Sequence, residues 1–105
     1  MASLDATYDV LLRYAREEIR AHQTERGEAI ARQALSLEPH RAAAYNVLAV
    51  VRELQGHHPE AMDLLRAGIA VEPTYKPAQQ NLERLGSFPQ RGAFLLGDEE
   101  DESKQ

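Results

Sequence analysis

Small and apolar residues recur along most of this chain at the spacing of a single helical stripe. Gly27, Ile30, Ala31, Ala34 and Leu35 fall at i, i+3, i+4, i+7 and i+8, and Ala61, Leu64, Leu65, Gly68 and Ile69 repeat that pattern. The small residues at 27, 34, 61 and 68 let neighbouring helix axes approach closely. β-Branched runs of the kind that build strands are missing, and Ala and Leu dominate the apolar set. Pro39 and Pro73 stop the helices before them, because proline has no N–H to donate and restricts the preceding residue. Gly56 marks a turn, and Pro59 suits the first turn of a helix. The pattern predicts helices over about 4–21, 25–37, 41–54, 59–71 and 76–85.

The stripes repeat with one offset. Pro39 and Pro73 lie 34 residues apart, and the same shift pairs Gly27 with Ala61, Ile30 with Leu64, Ala31 with Leu65, Leu11 with Tyr45, Tyr14 with Leu48 and Ala15 with Ala49. A second shift pairs Leu48 with Leu82 and Val51 with Leu85, so a third copy begins but contributes one helix. Tyr14, Leu48 and Leu82 are thereby expected in equivalent interior positions. In residues 76–85, Ala78, Leu82 and Leu85 share one side while Gln79, Gln80, Glu83 and Arg84 lie elsewhere, as suits a terminal cap.

Composition narrows the function. With 105 residues there is room for one domain with a thin core. The net charge of −5 is concentrated at Asp98-Glu99-Glu100-Asp101-Glu102, which leaves residues 1–97 near neutral. An acidic tail on a body without a basic stripe argues against nucleic acid. Cysteine is absent, which removes disulfides, thiolate nucleophiles and cysteine-based metal sites. No segment approaches the apolar length of a membrane span, and the N-terminal residues lack the basic start and apolar run of a secretory signal. A cytoplasmic protein without a membrane partner is the expectation.

Copy two resembles the tetratricopeptide repeat family, a 34-residue helix–turn–helix unit. Tyr45, Leu48-Ala49, Gln55-Gly56, Glu60-Ala61, Leu65, Gly68 and Pro73 fall where that family has its characteristic residues. Copy one departs more, with Leu11 at the aromatic position, His22 at the turn glycine and Gly27 at the key alanine; Asn81-Leu82 resembles the start of a further unit. The resemblance covers about residues 4–86 and implies an all-α fold: five helices in a right-handed helix–turn–helix array, a short α-solenoid with a concave face. It divides the chain into a repeat domain over 1–86, with repeats at about 8–41 and 42–75 and a capping helix at about 76–85, followed by a tail over 87–105.

In that family the first helix of each pair lines the groove. The resemblance therefore makes Leu12, Arg13, Arg16 and Arg20, then Asn46, Val47, Val50 and Leu54, then Gln80, Asn81 and Arg84 the candidate partner-binding residues. The middle helix is apolar on two faces, as either a helix packed on all sides or one offering an apolar strip between arginines. Arg16 and Arg20, one turn apart, suit bidentate carboxylate binding, or form a solvated face with Glu17 and Glu18. The clamp by which some family members hold a chaperone's C-terminal carboxylate is not reproduced at Leu12, Arg16, Val47, Pro77 and Asn81.

Chemistry of other kinds finds little support. The adjacent His57 and His58 lack the spacing of a histidine metal site, no Ser/His/Asp grouping or glycine-rich phosphate loop occurs, and the helical carboxylates alternate with basic residues. Neither catalysis nor a cofactor or metal is expected. In the tail, Ala93-Phe94-Leu95-Leu96 forms an apolar cluster ahead of the acidic run, and residues 98–105 are expected to be disordered alone. The cluster either packs back onto the helices or docks on another chain. Apolar anchors with acidic flanks are also the ligand that the groove arginines favour, so the tail is a candidate occupant of its own groove or a neighbour's. The leading expectation is a module that binds a segment of another protein in its groove. The alternative is an accessory subunit docked through its convex or end faces, and homo-oligomerisation is compatible with either.

Overall fold

The computed structural model describes residues 3–86 and 94–99. Within them are five helices and no strand: α1 Leu4–Arg20, α2 Thr24–Leu37, α3 Ala42–Leu54, α4 His58–Val71 and α5 Lys76–Gly86. The fold is all-α. None of these helices is long and apolar enough to cross a membrane.

Ser3 starts α1: its hydroxyl accepts the Ala6 N–H at 3.1 Å, satisfying a donor that has no partner within the helix. Both of the first two turns are built alike. His22 and Gly56, 34 residues apart, have positive φ of 64° and 81°. Each closes a Schellman arrangement: Gln23 N–H donates to Glu18 and His57 N–H to Arg52, both at 2.8 Å. The residues that open the next helices match as well, Gln23 at φ −97°, ψ 64° and His57 at φ −96°, ψ 65°. So do those that close them, Glu38 at −138°, 80° and Glu72 at −145°, 82°. The 34-residue period is thus present in the backbone torsions.

The elements pack in sequence. α1 pairs with α2 and α3 with α4; α2 also meets α3, and α4 meets α5. α1 and α5 each touch α3 directly, which leaves α1, α3 and α5 side by side with α2 and α4 behind. The molecule measures 46 × 28 × 28 Å. α1 buries Tyr8, Leu12, Ala15 and Ile19; α2 and α4 bury small stripes at the equivalent positions Gly27/Ala61, Ala31/Leu65 and Ala34/Gly68. The glycines permit the close approach. A Cβ on Gly27 would stand 2.5 Å from Ile19 Cγ1 and 2.9 Å from the Ala15 carbonyl oxygen, and one on Gly68 would stand 3.1 Å from Tyr45 Cβ.

α3 has neighbours on both sides, and nine of its residues are buried, continuously from Ala42 to Val51 except for Tyr45. Its N-terminus lacks a side-chain cap of its own, since Arg41 occupies that position without a capping bond. Other elements supply the acceptors. The Tyr8 hydroxyl takes the Ala44 N–H, and Glu72 Oε1 takes the Ala42 N–H, both at 2.8 Å. Arg41 lies 4.2 Å over the Tyr8 ring and pairs with Glu38 and Asp9.

One expectation about the core fails. Leu48 is buried in the cluster formed with α1 and α2, and Leu82 packs partly buried against the second cluster, but Tyr14 is 49% exposed. The face of α3 that carries Leu48 receives the preceding helix pair, whereas no described helix covers the same face of α1. Val10 lies on that face too and is also exposed.

Candidate functional site

Residues 94–99 lie across α1, α3 and α5 in non-helical conformation. Their backbone is held by side chains of all three helices. Leu95 is gripped at both main-chain groups: its N–H donates to Asn81 Oδ1 at 2.7 Å, and its carbonyl accepts from Asn81 Nδ2 at 2.7 Å and Asn46 Nδ2 at 2.8 Å. Asn81 Nδ2 also donates to Asn46 Oδ1 at 2.8 Å, so each amide fixes the other. These two asparagines are the buried polar residues among those described, and burial is tolerable because their donors and acceptors are matched.

The next residue supplies the apolar anchor. Leu96 is only 6% exposed and belongs to the cluster that contains Tyr8, Leu12, Ala15, Val47 and Val50. Its carbonyl accepts from Arg16 Nε at 3.0 Å. Phe94, half-buried, packs against both apolar clusters.

Gly97 then turns the chain. Its φ is +111°, and a Cβ there would collide with the Tyr75 hydroxyl and stand 2.9 Å from Arg16 Nη2. The site therefore requires glycine for space as well as for conformation. Glu99 folds back so that its two carboxylate oxygens accept the N–H groups of Leu96 and Gly97, at 2.7 and 2.8 Å.

Charge completes the contact. Arg20 donates to both carboxylate oxygens of Asp98, at 2.8 and 2.6 Å, and reaches Glu99 at 3.4 Å. The hydrogen bond from Arg20 holds the Asp98 carboxyl below its ordinary value of 3.8, and the same bond raises Arg20. Burial raises the Tyr75 phenol against the opposing charge of Arg16, so it stays neutral. Amides and arginines thus hold residues 95–99 by hydrogen bonding and charge.

The structure divides the sequence-derived groove residues. Arg16, Arg20, Asn46 and Asn81 contact residues 95–99 directly, and Leu12, Val47 and Val50 are in the apolar cluster of Leu96. Leu54 is 59% exposed, Gln80 is exposed, and Arg13 stands 5.6 Å over the Tyr14 ring on the open side of α1; none is brought to the site. Arg84 is half-buried on α5. The apolar strip on α3 is covered rather than open. Asp98 and Glu99, expected to be disordered, are bound; the rest of the acidic run, residues 100–102, lies outside the described residues, as do residues 87–93 and 103–105.

Sequence reasoning missed Tyr75, Gly97 and the hairpin role of Glu99. A glycine followed by acids is a turn signal, but nothing local places it against Tyr75. His57 and His58 face different carboxylates, Glu60 at 3.6 Å and Glu53 at 3.3 Å respectively.

The fold and site define an all-α chain whose odd-numbered helices clasp an extended segment. Comparison with protein-family models, curated proteins and solved structures finds no match for it.

Proposed function

We propose that this chain is a non-catalytic interaction module, a short helical array of the tetratricopeptide type, that binds an extended segment of another protein across α1, α3 and α5. The observation that carries the reading is the double grip of Asn46 and Asn81 on the Leu95 peptide. It engages main-chain atoms that any extended segment has, as does Arg16 at the Leu96 carbonyl, while Arg20 adds preference for an acidic flank. The matched backbone torsions 34 residues apart support the family resemblance.

Binding of fluorescent apolar–acidic peptides to the Leu96→Asp chain tests this, since a charge at that buried position unseats the chain's own segment. Saturable binding that is lost in Arg16→Glu/Arg20→Glu is expected. If no peptide binds, or binding ignores both arginines, the groove is not the site.

A second reading, an accessory subunit docked through an end face, draws on Val10 and Tyr14. They are 40% and 49% exposed on the α1 face whose equivalent on α3 is buried.

A further inference from the structure

We infer that the partner segment carries the pattern apolar–any–Leu–Gly–acid–Glu, and that residues 94–99 are the chain's own copy of this ligand, occupying the groove until a partner displaces it. The inference rests on the binding function proposed above and specifies its ligand. Each position follows from a contact. The first apolar residue takes the place of Phe94, which spans the two apolar clusters. The second is recognised through its peptide groups, and its side chain, half-buried but in neither apolar cluster, is the least specified of the six. Leucine follows because the third side chain enters the cluster floored by Leu12, Val47 and Val50. Glycine is required fourth, because any Cβ meets the Tyr75 hydroxyl and Arg16 at a positive φ.

The acid in fifth place receives both Arg20 donors, with the planar match that a guanidinium gives a carboxylate. The last must be glutamate rather than aspartate. Its longer arm returns to accept the N–H groups of the leucine and glycine while also meeting Arg20. That hairpin is internal to the segment, so a displacing ligand carries it along.

The chain's own segment is suited to be displaced. Its ionic contact is partly exposed on both sides, with Arg20 at 46% and Asp98 at 37%, and is open to screening. Tethering still gives it an effective concentration on the order of millimolar, so a partner meets a groove that is open for only a fraction of molecules. Its apparent affinity is lowered by that fraction.

The test uses a labelled peptide of residues 93–100 and three variants of it, Gly97→Ala, Asp98→Asn and a scrambled order. Each is titrated into the full chain and into the full chain carrying Leu96→Asp. The Gly97→Val chain serves as a second unseated variant if the first loses helicity by circular dichroism. The parent peptide should bind the unseated chain at least about tenfold more tightly than the unaltered one. The Gly97→Ala and scrambled peptides should each lose about tenfold or more against the unseated chain.

Equal binding of parent, Gly97→Ala and scrambled peptides would overturn the pattern and leave the groove's binding function intact. Failure of every peptide, including the apolar–acidic set, would overturn both. Loss of helicity in both unseated chains would make the segment a structural strap and overturn its displacement. A concentration-dependent dimer of the unaltered chain that dissociates on Leu96→Asp would show exchange between copies and overturn occupancy within one chain.

Discussion

Asn81 donates to the side-chain oxygen of Asn46 at 2.8 Å, and both amides also donate to one carbonyl, that of Leu95. The two residues come from α5 and α3 and are not equivalent under the 34-residue shift. Their pairing is a property of the assembled helices, each amide restraining the rotamer of the other.

Removing one partner of this network should cost more than one ordinary hydrogen bond. Asn81→Ala strands Asn46 Oδ1 and releases the Leu95 N–H, so unfolding free energy should fall by about 1–3 kcal/mol. Urea denaturation measures the loss, and amide exchange at Leu95 should rise further than at Ala15. An unchanged midpoint would mean that water replaces the amide without penalty.

Docking of residues 94–99 should depend on acid and salt through Arg20 and Asp98. The Asp98 value is lowered in the folded chain, chiefly by the Arg20 hydrogen bond. Its contribution is therefore present above the ordinary value of 3.8 and is lost as pH falls through the lowered one. A probe on the tail should report release only below about pH 4, and at neutral pH a partial release with added salt. Arg20→Gln should remove both dependences.

The Tyr8 hydroxyl gives α3 a cap that its own sequence lacks. Tyr8→Phe leaves the Ala44 N–H buried without an acceptor and should cost about 1–3 kcal/mol. Burial also raises Tyr8 from 10.0 to about 12. Since the folded chain holds this proton more tightly, stability is complete below pH 10 and declines as pH rises towards 12. Equilibrium unfolding across that range should show the decline in the native chain and a smaller one in Tyr8→Phe.

His22 and Gly56 fill equivalent left-handed positions, so opposite substitutions should have opposite signs. His22→Gly relieves side-chain strain of about 1–2 kcal/mol but adds unfolded-state entropy of about 0.5–1 kcal/mol, for a small net gain. Gly56→Ala meets no atom within 4 Å, so its penalty is conformational alone and should be about 1 kcal/mol. Thermal melts of the two single variants suffice. A destabilised His22→Gly would point to an unaccounted role for the imidazole.

The two packing glycines should respond unequally to alanine. At Gly27 the new Cβ meets backbone, the Ala15 carbonyl, as well as Ile19, and overpacking of about 1–3 kcal/mol exceeds the helix-propensity gain of about 1 kcal/mol. At Gly68 the closest atom is a side-chain Cβ at 3.1 Å, and the two effects nearly cancel. Chemical denaturation should rank Gly27→Ala as the less stable of the pair.

The helices were legible because their signals are local. Stripes at 27–35 and 61–69, stops at Pro39 and Pro73 and the turn at Gly56 each act within a few residues, and a fixed offset repeats the stripes and stops. Predicted helix bounds fall within about two residues of those observed. Which face of a repeated position is covered is not local. Tyr14 and Leu48 share a register but not a neighbour, so one is exposed and the other buried. The caps of α3 come from Tyr8 and Glu72, 36 and 30 residues from the groups they bind.

The candidate site divides along the same line. Sequence alone determined that Arg16 and Arg20 share a helix face, that α3 is apolar on two sides and that Phe94-Leu95-Leu96 leads into acids. Only the tertiary structure decided that Asn46 and Asn81, groove candidates by resemblance alone, become a buried and mutually bonded clasp. It also decided that Tyr75 enforces glycine at 97 and that Arg13, Leu54 and Gln80 stand away from the groove. Hydrogen bonds between groups so distant in sequence form only once α1, α3 and α5 lie side by side. That arrangement is set by packing on α2 and α4, which no single segment encodes.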